Sequence, residues 1–386
     1  MRIAMVGTRG VPAAYGGFET AVEEVGRRLA ARGHDVVVYR RRTDAGPQPV
    51  EHLGMRLVTL PALRRRSLET LSHTGLSAFH LAAHRCDAAF VFNAANAPWL
   101  PVLRAARIPV ATHVDGLEWK RGKWGPAGRR YYRHAEVAAA RWSDALIADA
   151  QGIADYYTAE LGAQTSLIAY GAPVLEVPGS ERLDEVDLEP QGYHLVVARF
   201  EPENHVEMIV EGYAASAASL PLVVVGSAPY ADDYTRAVHA AAGTRPVRFL
   251  GGVWDAELLD QLYANAATYL HGHSVGGTNP SLLRAIGAGT ATLAYDVGFN
   301  REVLRGDGRY FADAAGVARE LDAAEADLAD LARRGAALQL RARDYDWDQV
   351  ADAYEELAHQ LAERRAPGPQ RVRRRATEPT RTEALR

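Results

Sequence analysis

Three features of the sequence predict an α/β protein of two Rossmann-like halves that face each other across a cleft. A strand, a glycine-rich loop, a helix and a second strand follow one another between Arg2 and Tyr39. The same alternation restarts at Tyr193 and runs on to Tyr295. An acidic, proline-containing stretch without periodicity, residues 173–191, separates the two and reads as a linker. Alternation of this kind calls for parallel sheets with covering helices, and ligands then bind at the carboxyl ends of the strands.

In the first half, residues 1–172, the strand Arg2–Val6 runs into the loop GTRGVPAAYGGFET. Apolar residues at Phe18, Val22, Val25 and Leu29 then mark a helix, which Arg32-Gly33-His34-Asp35 ends before the strand Val36–Tyr39. Gly7-Thr8-Arg9-Gly10 does not fit the dinucleotide fingerprint, and Arg40 to Arg42 stand where its acidic residue would follow, which weighs against a dehydrogenase. Gly16-Gly17, with Arg9 nearby, suits a loop that lets a ligand approach the backbone; a plain turn would use the same glycines.

Further strands are expected at Arg56–Leu60, Ala88–Phe92, Pro109–His113, Ala145–Ala148 and Ser166–Ala169. After the third of these comes THVDGLEWKRGKWG, which gathers His113, Asp115, Glu118, Trp119, Lys120 and Arg121 and holds both lysines of the chain, Lys120 and Lys123. Aromatic faces among charges suit a sugar, which stacks on the ring while carboxylates bond its hydroxyls. Asp115 could equally cap a turn. Asn93 and Asn96 close the preceding strand and could face the same cleft.

The second half, residues 192–343, is expected to alternate strands Tyr193–Ala198, Leu220–Val225 and Val247–Leu250 with helices from about His205, Asp232–Ala242 and Asp255–Ala264. Arg199 leaves the first strand and could clamp a phosphate or pair with Glu201 or Glu203. From Tyr269 to Leu304 the chain reads as a strand ending near His271, the pair Gly276-Gly277, a helix opening at Thr278-Asn279-Pro280-Ser281, and the strand Ala291–Tyr295. Asn279 can cap free N–H groups, and Pro280 sits where the first turn has no partner for one. Such a start attracts phosphate or carboxylate, with His271, His273 and Ser274 on the rim; a capped helix after an ordinary turn is the plainer account.

Residues 344–363 form a terminal amphipathic helix (Val350, Tyr354, Leu357, Leu361). The D-x-D within Asp344–Asp348 lies at its start, where the helix dipole explains acidic residues, so no metal is expected. The tail, 364–386, is Pro- and Arg-rich without apolar periodicity and is expected to be disordered.

Composition narrows the class. The chain has 386 residues, 48% hydrophobic and 24% charged, which is ordinary for a soluble enzyme of roughly two to three domains. One cysteine, Cys86, excludes a disulfide framework and a Cys-based zinc site. No signal-peptide pattern opens the sequence and no run of about eighteen apolar residues could span a bilayer, so a cytoplasmic protein is expected. Eight arginines against two glutamates give the tail +6, which leaves −10 for the rest of a chain whose net charge is −4. The tail could be a solvated terminus or a contact with anionic lipid at the inner face of the membrane. Nucleic acid is disfavoured by the acidic body.

The set GTRGVPAAYGGFET, LETLSHT, VDGLEWKR, IAYGA, ARFEPEN, GHSVGGTNPSLL and YDVGFNREVL, spread from Met1 to about Ala362, resembles the GT-B glycosyltransferases, retaining family 4, and within it the bacterial rhamnosyltransferases of capsule and exopolysaccharide assembly. The resemblance implies a nucleotide-sugar donor held mainly by the second half, a saccharide or lipid-linked saccharide acceptor held mainly by the first, and metal-free transfer in the cleft without a cofactor. It places Asp115, Glu118 and His273 at the reacting centre. Gly16, Gly17, Arg199, Gly252, Val253, Gly277, Thr278, Asn279, Ser281 and Arg284 fall at the donor, and His73, Asn96, Trp119 and Arg121 on the acceptor side.

Two departures stand out. The wider family carries two glutamates separated by seven residues, where this chain has Gly276 and Arg284, and a lysine where Asn204 stands. Beside a transferase moving L-rhamnose from dTDP-rhamnose, the sequence therefore allows a GT-B protein that binds nucleotide sugar without turnover and supports a partner transferase, or an epimerase acting on a nucleotide sugar.

Overall fold

The computed structural model describes residues 1–13, 16–43, 48–63, 68–114, 116–176, 178–226 and 232–372. Eight strands form the first sheet: β1 (Arg2–Val6), β2 (Asp35–Arg41), β3 (Glu51–His52), β4 (Met55–Leu60), β5 (Ala88–Phe92), β6 (Val110–His113), β7 (Ala145–Ala148) and β8 (Ser166–Leu167). Their order is β3-β4-β2-β1-β5-β6-β7-β8, and only β3 runs antiparallel to its neighbour. The second sheet contains β9 (His194–Val197), β10 (Leu222–Val225), β11 (Val247–Gly251), β12 (Thr268–His271), β13 (Thr292–Tyr295) and β14 (Arg309–Phe311). It is wholly parallel, in the order β11-β10-β9-β12-β13-β14.

This is the expected fold class, an α/β arrangement of two Rossmann-like domains. The central strands read as unbroken apolar runs because helices cover both faces, and all five residues of β5 are buried. Strand order reverses between β1 and β5 and again between β9 and β12, and ligands sit in the crevice at such a reversal. Two strands escaped the sequence reading, β3 and β14. The first is two polar residues long and the second opens on Arg309, so neither carries an apolar run.

The terminal helix Trp347–Ala362 returns from the second half to pack on the helix Gly17–Ala31 and on β5. Arg28 pairs with Asp348, and Arg32 with Asp352 and Glu355, each at 2.6 Å. Such partly exposed pairs contribute about 0–1 kcal/mol each, whereas burying a side chain such as Val350, Leu357 or Leu361 stabilises by roughly 1.5–3 kcal/mol, so the apolar face holds the helix in place. The D-x-D is a cap: the Asp346 carboxylate accepts from the Asp348 N–H at 2.9 Å.

The expected disorder from Arg364 onward is corrected for residues 364–372, which lie against the first half. Gly368 N–H donates to the Asp144 carbonyl at 2.8 Å and Gln370 N–H to that of Ala140 at 3.0 Å. The Gln370 side chain bonds both backbone groups of Gln164, and Val372 is 2% exposed. Backbone pairing and one buried valine fix a segment that shows no periodicity. Residues 373–386, with most of the tail's arginines, lie outside the described residues. Among the described residues no helix is long and apolar enough to cross a membrane.

Candidate functional site

Two helices from different sheets point their N-termini at one place. The helix Gly17–Ala31 starts after β1 with Gly16 extended at its N-cap and no side chain capping it. The helix Pro280–Gly287 starts after β12 with the Asn279 carboxamide accepting from Ser281 N–H at 2.9 Å. They meet closely: a Cβ on Gly17 would lie 3.0 Å from Pro280 Cγ. Free N–H groups and the positive ends of two helix dipoles thus converge from opposite domains, an arrangement that favours an anion between them.

Histidines whose protonation is set by their surroundings flank this point. The Asn204 amide donates to the Arg199 carbonyl at 2.8 Å, so its oxygen faces His273 Nδ1, also at 2.8 Å. That oxygen only accepts, so Nδ1 carries the proton. Burial, reinforced by Arg121, holds the His273 pKa well below the usual range, which leaves Nε2 an unprotonated acceptor turned toward Gly276. Behind it His271 is pushed down to about 3 by burial. Asn300 ties down the loop by donating to the His273 carbonyl at 3.0 Å.

Across the cleft, β6 ends at His113, which burial also pushes down to about 3. Its Nδ1 is 2.9 Å from the hydroxyl of Tyr354 on the terminal helix, and its ring stacks on Tyr170 and edges on Phe18. Its Nε2 is buried without a hydrogen-bond partner among the described residues. The loop beyond is tied by charge. Burial opposes ionisation of Glu118, but Arg121 and Lys123 overcome it and hold the pKa low; Lys123 stands at 2.9 Å and the Trp124 indole N–H donates at 3.2 Å. Arg121 also reaches Glu203 of the second half at 3.2 Å, and the Thr278 hydroxyl donates to the Asp149 carbonyl of the first at 2.6 Å. The two halves are therefore in direct contact around the site.

A profile described as Glycosyl transferase 4-like domain matches residues 16–171, and one described as Glycosyl transferases group 1 matches residues 183–329. The chain belongs to the group 1 glycosyltransferases of family 4. Solved structures carry the same GT-B fold. Sucrose-phosphate synthase from Thermosynechococcus elongatus is 20% identical with a TM-score of 0.79, over 94% of this chain and 99% of that one. Alr3699/HepE from Anabaena, in complex with UDP, is 16% identical with a TM-score of 0.74, over 94% and 100%. An E. coli trehalose-6-phosphate protein bound with UDP-2-fluoro glucose is 14% identical with a TM-score of 0.71, over 94% and 99%. No curated protein matches by sequence.

In this glycosyltransferase the residues expected at the donor gather at the paired helix starts: Gly16, Gly17, Gly277, Thr278, Asn279 and Ser281, with Arg199 at the carboxyl end of β9. Gly252 and Val253 follow β11 on the same edge, beside Trp254, which is 73% exposed. Arg284 points elsewhere, pairing with Asp260 of the helix Ala256–Ala264 at 3.3 Å. Burial raises the Asp260 pKa while Arg284 opposes that shift.

Among the residues expected around the acceptor, Asn96 is fully buried and donates to the carbonyls of Phe92 and Gly7, which shapes the loop after β1. His73 is buried within the first half, its pKa pushed down to about 4 by that burial. Trp119 carries the Arg133 guanidinium over its ring at 4.1 Å. Asp115 lies outside the described residues. Sequence reasoning passed over Asp149, read Tyr354 only as part of the terminal helix's apolar stripe, and gave His113 and Glu203 no place of their own. The available signal for Asp149 was an acidic residue directly after a buried parallel strand.

One group that could hold a metal ion occurs among the described residues, His34, Glu355 and His359, where the terminal helix meets the turn before β2. Glu355 is already held by His34 at 2.7 Å and by Arg32, so an ion would have to break the first contact and displace Arg32.

Proposed function

We propose that the chain transfers a sugar from a nucleotide-diphosphate donor to a saccharide or lipid-linked saccharide acceptor with retention of configuration. The observation that carries this reading is the convergence of the helix starts at Gly17 and Pro280. As the glycosidic bond breaks, negative charge grows on the leaving diphosphate, and preorganised N–H donors from both domains stabilise that charge where it develops. Arg199 adds a cation on the same side. A front-face displacement, in which the leaving phosphate takes the acceptor proton, needs no protein nucleophile, and the neutral histidines suit hydrogen bonding to sugar hydroxyls. Structures of Alr3699/HepE hold UDP, UDP with glucose, or UDP-glucose, which supports a nucleotide sugar as the donor class.

L-Rhamnose from dTDP-rhamnose is the donor that the sequence resemblance favours. The Arg284–Asp260 pair weakens the non-catalytic reading, because Arg284 has a local partner and does not stand as an unmatched cation. Calorimetric titration with dTDP-rhamnose, UDP-glucose and GDP-mannose tests the reading, followed by acceptor-free hydrolysis with the anomer read by NMR. Binding of one donor with release of the retained anomer is expected. Binding without hydrolysis or transfer would instead indicate a nucleotide-sugar-binding protein. Contact with anionic lipid through residues 373–386 belongs to the same proposal; deleting them should abolish cosedimentation with phosphatidylglycerol vesicles and leave donor hydrolysis intact.

A further inference from the structure

β7 delivers Asp149 to the cleft, and nothing in the contacts around the helix starts uses its side chain. The residue is 6% exposed, and its Oδ1 has no hydrogen-bond partner among the described residues. It is lodged in the glycine loop of the other half: a Cβ on Gly277 would lie 2.0 Å from that oxygen. Position 277 therefore has no room for a side chain while Asp149 occupies the space.

Neighbouring groups sharpen the picture. β6 and β7 are paired, with His113 opposite Ile147, so Asp149 stands just beyond His113 at the same sheet edge. Both flank Tyr354: its hydroxyl bonds His113, and Asp149 acts on it electrostatically. His113 Nε2 and Asp149 Oδ1 are thus two buried, unpartnered polar atoms at the same sheet edge. Leaving one such atom unsatisfied costs roughly 1–3 kcal/mol, so two together call for an explanation. Among the described residues no cation acts on Asp149 to provide one. Glu302, the charged group acting on Asp149, has like sign, and its own carboxylate accepts from Gln151 N–H at 3.0 and 3.1 Å.

We infer that Asp149 is a sugar-binding residue, which takes a hydroxyl of the donor sugar as the sugar leaves the diphosphate site at the neighbouring Thr278–Ser281 helix start. The inference rests on the transferase reading. It adds that part of the sugar pocket's wall at the glycine loop comes from the first domain, with Gly277 kept bare to admit it. Since Asp149 and Gly277 belong to different halves, this wall exists only when the halves are together, so sugar recognition and domain closure are one event.

The test compares nucleotide with nucleotide sugar. Kd values are measured by calorimetry for the pairs UDP and UDP-glucose, dTDP and dTDP-rhamnose, and GDP and GDP-mannose, with wild type and Asp149→Ala. For the pair that wild type binds, Asp149→Ala should weaken the nucleotide sugar at least tenfold and leave the free nucleotide within twofold. Equal weakening of both, or of neither, would overturn the inference and leave the transferase reading standing. Failure of wild type to bind any of the six would remove that reading and the inference with it. If Asp149→Ala does not fold, Gly277→Ala decides, because it crowds Oδ1 while keeping the carboxylate. An unchanged ratio of nucleotide-sugar to nucleotide affinity in that variant would also overturn the inference.

Discussion

The loop that leaves β12 and the loop that leaves β6 both end buried parallel strands and meet in the cleft, yet they are held by different forces. Residues 271–281, mostly glycines, small hydroxyl residues and neutral histidines, carry no acidic, lysine or arginine side chain and are fixed by hydrogen bonds such as those of Asn204 and Asn300. Residues 118–124 are held by charge, with Glu118 gathering Arg121, Lys123 and the Trp124 indole. Backbone donors and helix dipoles need no reorganisation when an anion arrives, which suits the side that meets the leaving diphosphate. An ion-pair network instead fixes where one domain stands against the other. Arg121 joins the two regimes, because it serves Glu118 in its own loop and Glu203 across the cleft.

The comparison breaks most directly at Arg121. Arg121→Ala would leave Glu118 and Glu203, whose side chains are 10% and 3% exposed, without their shared cation. Removing one partner of a buried pair costs roughly 3–5 kcal/mol, and a fall in melting temperature should accompany weaker donor hydrolysis. An unchanged melting temperature would mean that the network is solvated and holds nothing. On the opposite loop Gly277→Ala should lower turnover by about a hundredfold, the scale set by a misplacement of about 1 Å. The clash of the new Cβ with Asp149 should also lower the melting temperature, and Asp149→Ala combined with it should recover part of that fall. Arg199→Ala should weaken nucleotide-diphosphate binding by about tenfold or more, as charged hydrogen bonds do. Unchanged affinity would remove Arg199 from the diphosphate site.

The pH dependence of stability separates the two sides of Asp149. Burial raises its pKa from 3.8 to about 7. Between those values the folded state binds more protons than the unfolded state, so this group's contribution to stability is lost as pH rises. Asp149→Asn lacks the effect, and its stability relative to wild type should rise from about pH 4 to about pH 7 by up to roughly 1.4 kcal/mol per pH unit. Denaturant unfolding at several pH values measures this. A constant difference would mean that the carboxyl is hydrated.

The sheets were legible because parallel strands buried on both faces are apolar throughout, as in Ala88–Phe92, and because Asn279-Pro280 is a local signal for a helix start. The convergence of Gly17 with Pro280 was not legible, since it depends on how two domains meet across more than half the chain. Tyr354 illustrates the same limit. Its place in the helical stripe marks it as core, which it is, but its hydroxyl beside His113 follows only from the terminal helix returning to the first half. Residues 364–372 were misread for a related reason: their order comes from backbone groups on Asp144, Ala140 and Gln164, which composition does not report.

Arg284 gives the smallest effect and the finest test of the comparison. Read in the sequence alone, an arginine on the anion-binding helix could meet a phosphate, face away or mark a lost activity. The structure pairs it with Asp260, and both side chains are 27% exposed. Arg284→Glu would set two carboxylates against each other at a partly exposed site, which should destabilise the fold by about 1 kcal/mol, a shift of only a few degrees in melting temperature. Asp260→Arg combined with Arg284→Glu should restore much of that loss by reversing the pair. If the diphosphate instead draws on Arg284, the single variant would lose affinity for nucleotide and nucleotide sugar alike, and the reversed pair would not recover it. Stability restored without affinity would then return Arg284 to the diphosphate side of the cleft.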